Sequence, residues 1–214
     1  MTRCRFTKRH RPRMILSTQR RALGPIVDAF ALASRFLVQA VQSVPESRWD
    51  SPGLGSWDMR ELVAHANRAH TTIEDYLFRP RPPEPPDGNY FSDAAIAERG
   101  REAVTALGES PAATVAAKSD EVIALVETTS PEATIGSPAG TMTLSAYLPS
   151  RIAELTVHGL DIVHALGLEL PAPSGALQES LAAVTRSCVR KGNGELVLLA
   201  LSGRGELPPH FSVC

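Results

Sequence analysis

The sequence predicts an all-α protein, and three observations carry that reading. Apolar residues recur at spacings of three and four through several long segments, which is one face of a helix. Strand signals are few: ELVLLAL, Glu195 to Leu201, is a short continuous apolar run that suits a buried strand or a helical turn equally. Stretches rich in proline, glycine and serine divide the periodic segments into four or five amphipathic helices, the pattern of a helical bundle.

The first helix begins near Leu23, where Ile26, Phe30, Ala33, Leu37, Ala40 and Val44 share one face. Pro25 suits its first turn and Pro45 lies beyond its end. Glu46 to Gly55 reads as a loop, and Ser56 as the N-cap of WDMRELVAHANRAHTTIEDYL, with Asp58 and Glu61 placed for the helix dipole. This second helix ends near Phe78, because RPRPPEPPDG cannot continue it and should run extended. A third helical region spans about Ser92 to Leu107. A fourth spans about Pro111 to Val126, and the two are continuous if Gly108 is only a kink. Ser130 to Thr141 reads as a loop. Periodicity resumes through RIAELTVHGLDIVHAL, Arg151 to Leu166, and ends near Gly167. Ser174 then caps a helix that reaches Lys191, with Gly192 as terminator.

A chain of 214 residues with 43% hydrophobic content suits one domain with appendages. We divide it into a basic, disordered tail at 1–21, a bundle at 22–170 and a C-terminal extension at 171–214. The net charge of −1 gives no footprint for nucleic acid. Locally, eight basic residues from Arg3 to Arg21 precede the first acid, Asp28; a nucleic-acid or lipid anchor, a targeting segment, and a gene start placed upstream of Met14 are the readings of that excess. No apolar core follows to make a secretory signal, and no run approaches the ~20 apolar residues of a membrane span. Cys4, Cys188 and Cys214 form neither a CxxC pair nor an even disulfide set. The expectation is a soluble, cytoplasmic protein without nucleic-acid or membrane partners, with a homodimer as one assembly option.

The segment from Arg151 to Leu166 is unusual for its charges. With Glu154 set at zero and ~100° per residue, His158 falls at about +40°, Arg151 at about +60° and Asp161 at about −20°. The rest of the circumference is nearly all apolar, so the wedge should face inward and satisfy its charges there. Glu154 and His158, at i and i+4, can grip one ion; a salt-bridge network that sets helix register is the alternative. On the second helix, His65 and His70 sit on opposite edges of the apolar stripe, each readable as a boundary or core residue.

Two motifs stand together here: Trp57-Asp58-Met59-Arg60-Glu61-Leu62-Val63-Ala64-His65, then Arg151 with Glu154 and His158-Gly159-Leu160-Asp161. In combination they resemble the mycothiol-dependent maleylpyruvate isomerase family, part of the DinB-like superfamily of metal-binding four-helix bundles. The tail LLALSGRGELPPHFSV, with Arg204, is similar to that of many members. The resemblance implies a divalent metal, usually zinc, held by His65, Glu154 and His158. Two imidazoles and a carboxylate with an open position are also the ligand pattern of a catalytic zinc.

Asp161 would then fix the tautomer of a ligand histidine, with a salt bridge or cap as its plainer role. Arg151 would neutralise Glu154 or hold a substrate anion, and Arg204 would orient a substrate carboxylate. His70 matches no ligand position and remains a boundary residue. By resemblance the cosubstrate is mycothiol, whose sulfur attacks a small electrophile, leading to isomerisation or to S-transfer. A non-catalytic metal-binding or ligand-sensing bundle is the competing expectation. Two departures from the family bear on specificity: only residues 171–214 follow the bundle, where the isomerase carries a larger C-terminal domain, and Pro149 stands near the start of the ligand helix.

Overall fold

The computed structural model describes residues 15–78 and 92–212. The expected extended connection after Phe78, and the basic tail as far as residue 14, lie outside the described residues. Helix α1 runs Ile15–Gln42, so it starts before Leu23, and Pro25 falls inside it rather than in its first turn. A proline there removes one N–H from the ladder, and the packing of Phe30, Ala33, Phe36, Leu37 and Ala40, all at most 1% exposed, holds the helix regardless. Gly24–Gln42 is in fact apolar and long enough to cross a membrane by length and composition alone. Half of that window is buried inside the protein, as suits the central helix of a bundle.

The segment read as a loop after α1 contains a 3-10 turn, Glu46–Arg48, and strand β1, Pro52–Leu54. Strand β2, Trp57–Asp58, pairs antiparallel with β1, Pro52 opposite Asp58 and Leu54 opposite Trp57. Gly53 makes this approach possible, since a Cβ there would lie 2.7 Å from the Asp58 carbonyl oxygen. Helix α2, Met59–Phe78, is capped by Asp58 and not by Ser56. The Glu61 N–H donates to Asp58 Oδ1 at 2.8 Å while the Asp58 N–H donates to Glu61 Oε2 at 3.0 Å, a reciprocal capping box.

Helix α3, Asp93–Val104, is distinct from α4, Pro111–Thr128; Gly108, at φ 62°, breaks the chain between them. The expected loop at 130–141 is a hairpin, β3 Thr134–Ser137 against β4 Gly140–Thr143. Its β-branched residues favour strands, and Ile135 is fully buried. Helix α5, Leu144–Leu166, starts at Thr143, whose hydroxyl accepts from the Ala146 N–H, and takes Pro149 into its interior. Helices α6, Ser174–Arg190, and α7, Gly194–Leu201, complete the fold, so ELVLLAL is helical. None of the α7 residues is buried, which removes the buried-strand alternative.

Helices α1, α2, α4 and α5 form the bundle, each packing on two of the others: α1 on α4 and α5, α2 on the same pair. Helix α3 packs on α2, α6 on α5 and α1, and α7 on α6. At Gly159 of α5 the helix packs closely on α1, where an added Cβ would lie 2.6 Å from a ring carbon of Phe36. That approach seats α5 deep in the bundle and turns its charged wedge toward α2.

Candidate metal centre

The wedge on α5 meets His65 of α2. Glu154 Oε2 lies 3.3 Å from His158 Nε2 and 3.8 Å from His65 Nε2, and one donor atom from each residue fits within 4.8 Å of the others. His158 Nδ1–H donates to Asp161 Oδ2 at 2.9 Å, leaving Nε2 facing Glu154. A carboxylate that fixes the far nitrogen of a histidine in this way is the usual support for a metal ligand.

Electrostatics tie the cluster together. Burial pushes the Glu154 carboxyl up, but the hydrogen bonds of His158 and His65 and the charge of Arg151 outweigh it and hold the group well below the usual carboxylate range. Burial lowers the His158 imidazole, yet hydrogen bonds to Asp161 and Glu154 win and raise it to about 9. His65 moves the other way, because burial, with help from the neighbouring His158 and Arg68 charges, exceeds the pull of Glu154.

The donors suit a divalent cation. Metal–ligand bonds of ~2.1 Å in a tetrahedron put ligand atoms ~3.4 Å apart, close to the observed 3.3 and 3.8 Å. His65 Nδ1, the other nitrogen of that ring, is buried without a hydrogen-bond partner, so the support that Asp161 gives His158 has no counterpart at His65. The His65 ring packs on Trp57, centroids 4.5 Å apart at 34°, and meets His158 edge-on at 4.9 Å. Trp57 is backed in turn by Gly100 of α3, where a Cβ would come within 3.1 Å of the indole.

The three candidate ligands line a cavity of about 410 Å³, within the ~300–1,000 Å³ range of small-molecule sites. Its wall includes Arg68, Arg99, Arg151, Tyr147 and the hairpin tip Ser137–Ala139. The Arg151 guanidinium lies over the Tyr147 ring, 4.8 Å from its centroid, and the Tyr147 hydroxyl donates to Thr72 Oγ1 at 3.1 Å. The wedge is thus not sealed in a core: Val157, beside it on α5, is 41% exposed and His164 faces solvent.

Of the residues singled out in the sequence, His65, Arg151, Glu154 and His158 converge on this cavity, and Asp161 supports it through His158. Arg204 stands apart, in an exposed turn after α7 where its guanidinium donates to the Ser202 carbonyl at 2.9 Å. His70 is not a boundary residue; it is fully buried, with Nδ1 3.1 Å from Asn67 Oδ1 and Nε2 3.1 Å from Ser34 Oγ. Burial, aided by the charge of Lys118, lowers it to about 4. Arg68, Arg99, Tyr147 and the hairpin tip are cavity residues that the sequence motifs do not single out. Arg68 at i+3 from His65, and Tyr147 two turns before Glu154, are legible from helical spacing. Arg99 and the hairpin tip reach the cavity only through tertiary packing.

Fold and site together define a class: a four-helix bundle with a candidate His–Glu–His metal centre facing a cationic cavity. The family model described as the mycothiol maleylpyruvate isomerase N-terminal domain matches residues 30–163, more than half of the chain, and the protein belongs to that family. The match spans all three candidate ligands and stops short of α6, α7 and Arg204. No curated protein and no solved structure matches the chain.

Proposed function

We propose that the protein is a cytoplasmic, metal-dependent enzyme that uses mycothiol to isomerise, or to transfer sulfur to, a small electrophilic substrate. The observation that carries this reading is the His65–Glu154–His158 cluster, set against a cavity of ligand size in a chain of a mycothiol-related family. Zinc is the cation proposed, because two imidazoles and one carboxylate with an open side make its catalytic donor set. When bound, such a cation lowers the pKa of a coordinating thiol toward neutrality.

The chain's own residues supply the rest. Asp161 holds the His158 Nδ1–H, so Nε2 is the donor presented to the cavity. Trp57 keeps the His65 ring in place and dry on one face. Arg68, Arg99 and Arg151 put three positive charges on the wall, which draw in an anionic substrate and favour the thiolate over the thiol. Arg151, fixed over Tyr147, takes the role of substrate-anion partner; Arg204 does not line the cavity. Addition of the thiolate sulfur to a conjugated double bond leaves a single bond free to rotate, and expulsion of the same sulfur restores the thiol and gives the isomer. Departure of a different leaving group completes an S-transfer instead.

The test pairs metal analysis with two activity readouts, isomer formation and thiol consumption. Protein expressed with supplemented zinc should retain about one equivalent by the single-site reading and lose it in Glu154→Ala and His158→Ala. Only when metal is present should it either isomerise unsaturated carboxylate electrophiles with mycothiol unconsumed or consume mycothiol with them. Metal retention with neither isomer formation nor thiol consumption would leave a non-catalytic metal-binding bundle; no metal in the wild type would sink the proposal.

A further inference from the structure

The exposed face of α7 is unlike the rest of the surface. Leu198 is 68% and Leu201 70% exposed, the two barest leucines among the described residues, on a helix with no fully buried residue of its own. Val189, at the end of α6, adjoins the first residue of α7 and is 67% exposed. A bare apolar stripe of this kind, rimmed by charge, marks an interaction surface. Its charges say which partner fits.

Leu198 and Leu201, at i and i+3, share one face of α7, and Glu195, about 60° further round from Leu198, stands at its edge. Beyond the helix, the Arg204 N–H donates to the Leu199 carbonyl at 2.8 Å and the Gly203 N–H to the Ala200 carbonyl at 3.0 Å, so the chain turns back and keeps Arg204 at the C-terminal end. An antiparallel copy of α7, related by a two-fold axis passing between Leu199 and Ala200, brings Leu198 of each copy opposite Leu201 of the other. The same axis brings Glu195 of each copy opposite Arg204 of the other. One symmetry operation therefore covers both leucines and pairs both charges, and sets the two helix dipoles antiparallel.

We propose that α7 is the core of a symmetric homodimer interface, in which two copies pair antiparallel in this register, with Val189 continuing the apolar patch. Arg204 is then an interface residue, which gives a place to a side chain that the sequence singles out and the cavity leaves unused. This inference is independent of the metal and thiol chemistry.

Sedimentation velocity on the full chain at about 5–100 µM, the range that brackets a micromolar dimer, tests it. The wild type should be dimeric at the upper end, and Leu198→Gln combined with Leu201→Gln should be monomeric with an unchanged helical circular dichroism spectrum. Glu195→Arg, which opposes like charges twice per dimer, should weaken association about tenfold in low salt. Adding Arg204→Glu to that variant should restore most of the loss. A wild type that stays monomeric at 100 µM overturns the proposal, as does a dimer indifferent to the leucine changes. If the charge-swapped pair is no tighter than Glu195→Arg alone, the register is wrong and the proposed pairing falls.

Discussion

The hydrogen bond from His158 to Asp161 offers the sharpest test of the candidate centre, because it acts on metal affinity in two opposed ways. Asp161 raises ligand basicity by accepting the Nδ1–H at 2.9 Å, and with Glu154 it also holds a proton on His158 to about 9. A cation must displace that proton, at a cost of ~2 pK units or roughly 3 kcal/mol at pH 7. Asp161→Asn keeps an acceptor but removes the charge, so ligand support and proton competition both fall.

At pH 8.5 the proton still sits on most of His158 but costs only roughly 1 kcal/mol or less to displace, and the lost support should dominate, weakening binding about 10- to 100-fold, or ~1.4–2.7 kcal/mol. At pH 6.5 the variant surrenders its proton more cheaply, and the difference should shrink. Competition against a chromophoric chelator at fixed ionic strength measures both affinities. Wild-type affinity should rise with pH, and the ratio between the two proteins should widen with it. Equal affinity at pH 8.5, or a ratio flat from pH 6.5 to 8.5, would refute the assignment of Asp161 as the group that supports His158.

Three further outcomes follow from the same structure. His70 is fully buried and lowered to about 4, so the neutral ring is the stabilising form; its contribution is present above pH 6.5 and lost as pH falls toward 4, roughly 2–3 kcal/mol by pH 4.5. Urea denaturation of wild type and His70→Gln should show lower stability of the variant at pH 7 and a shallower loss between pH 6.5 and 4.5; parallel pH profiles would count against it. Gly159→Ala drives a methyl to within 2.6 Å of Phe36, an overpacking cost of about 1–3 kcal/mol that exceeds the ~1 kcal/mol gained in helix propensity, so thermal melts should fall by a few degrees. Zinc at about 100 times its dissociation constant should add about 2.7 kcal/mol to stability, and a chelator should reverse the resulting rise in Tm; Glu154→Ala should show no such rise.

Several features are legible in the sequence because they are local. The 3.6-residue period exposes a helix wherever one face packs and another is wet, and it locates the bundle helices. The same arithmetic puts Arg151, Glu154, His158 and Asp161 in one wedge, since residues three, four and seven apart on a helix must share a face. Cap placement is less secure: Ser56 and Asp58 are both good N-caps by type, and only the reciprocal bonds with Glu61 choose Asp58. The hairpin at 134–143 is hidden by its Pro, Gly and Ser content, although Thr134, Ile135, Thr141 and Thr143 carry a strand preference.

Tertiary structure decided what spacing along the chain cannot. His65 and His70 are equivalent on a helical wheel, one at each edge of the α2 stripe. The neighbouring helices separate them: α5 brings Glu154 to His65, while α1 closes over His70 and supplies Ser34. By itself the sequence determined which residues share a face, because backbone geometry sets that within a few turns. Which faces meet depends on shape complementarity between distant segments, such as the hollow at Gly159 that admits Phe36. That contact has no signature in either segment alone.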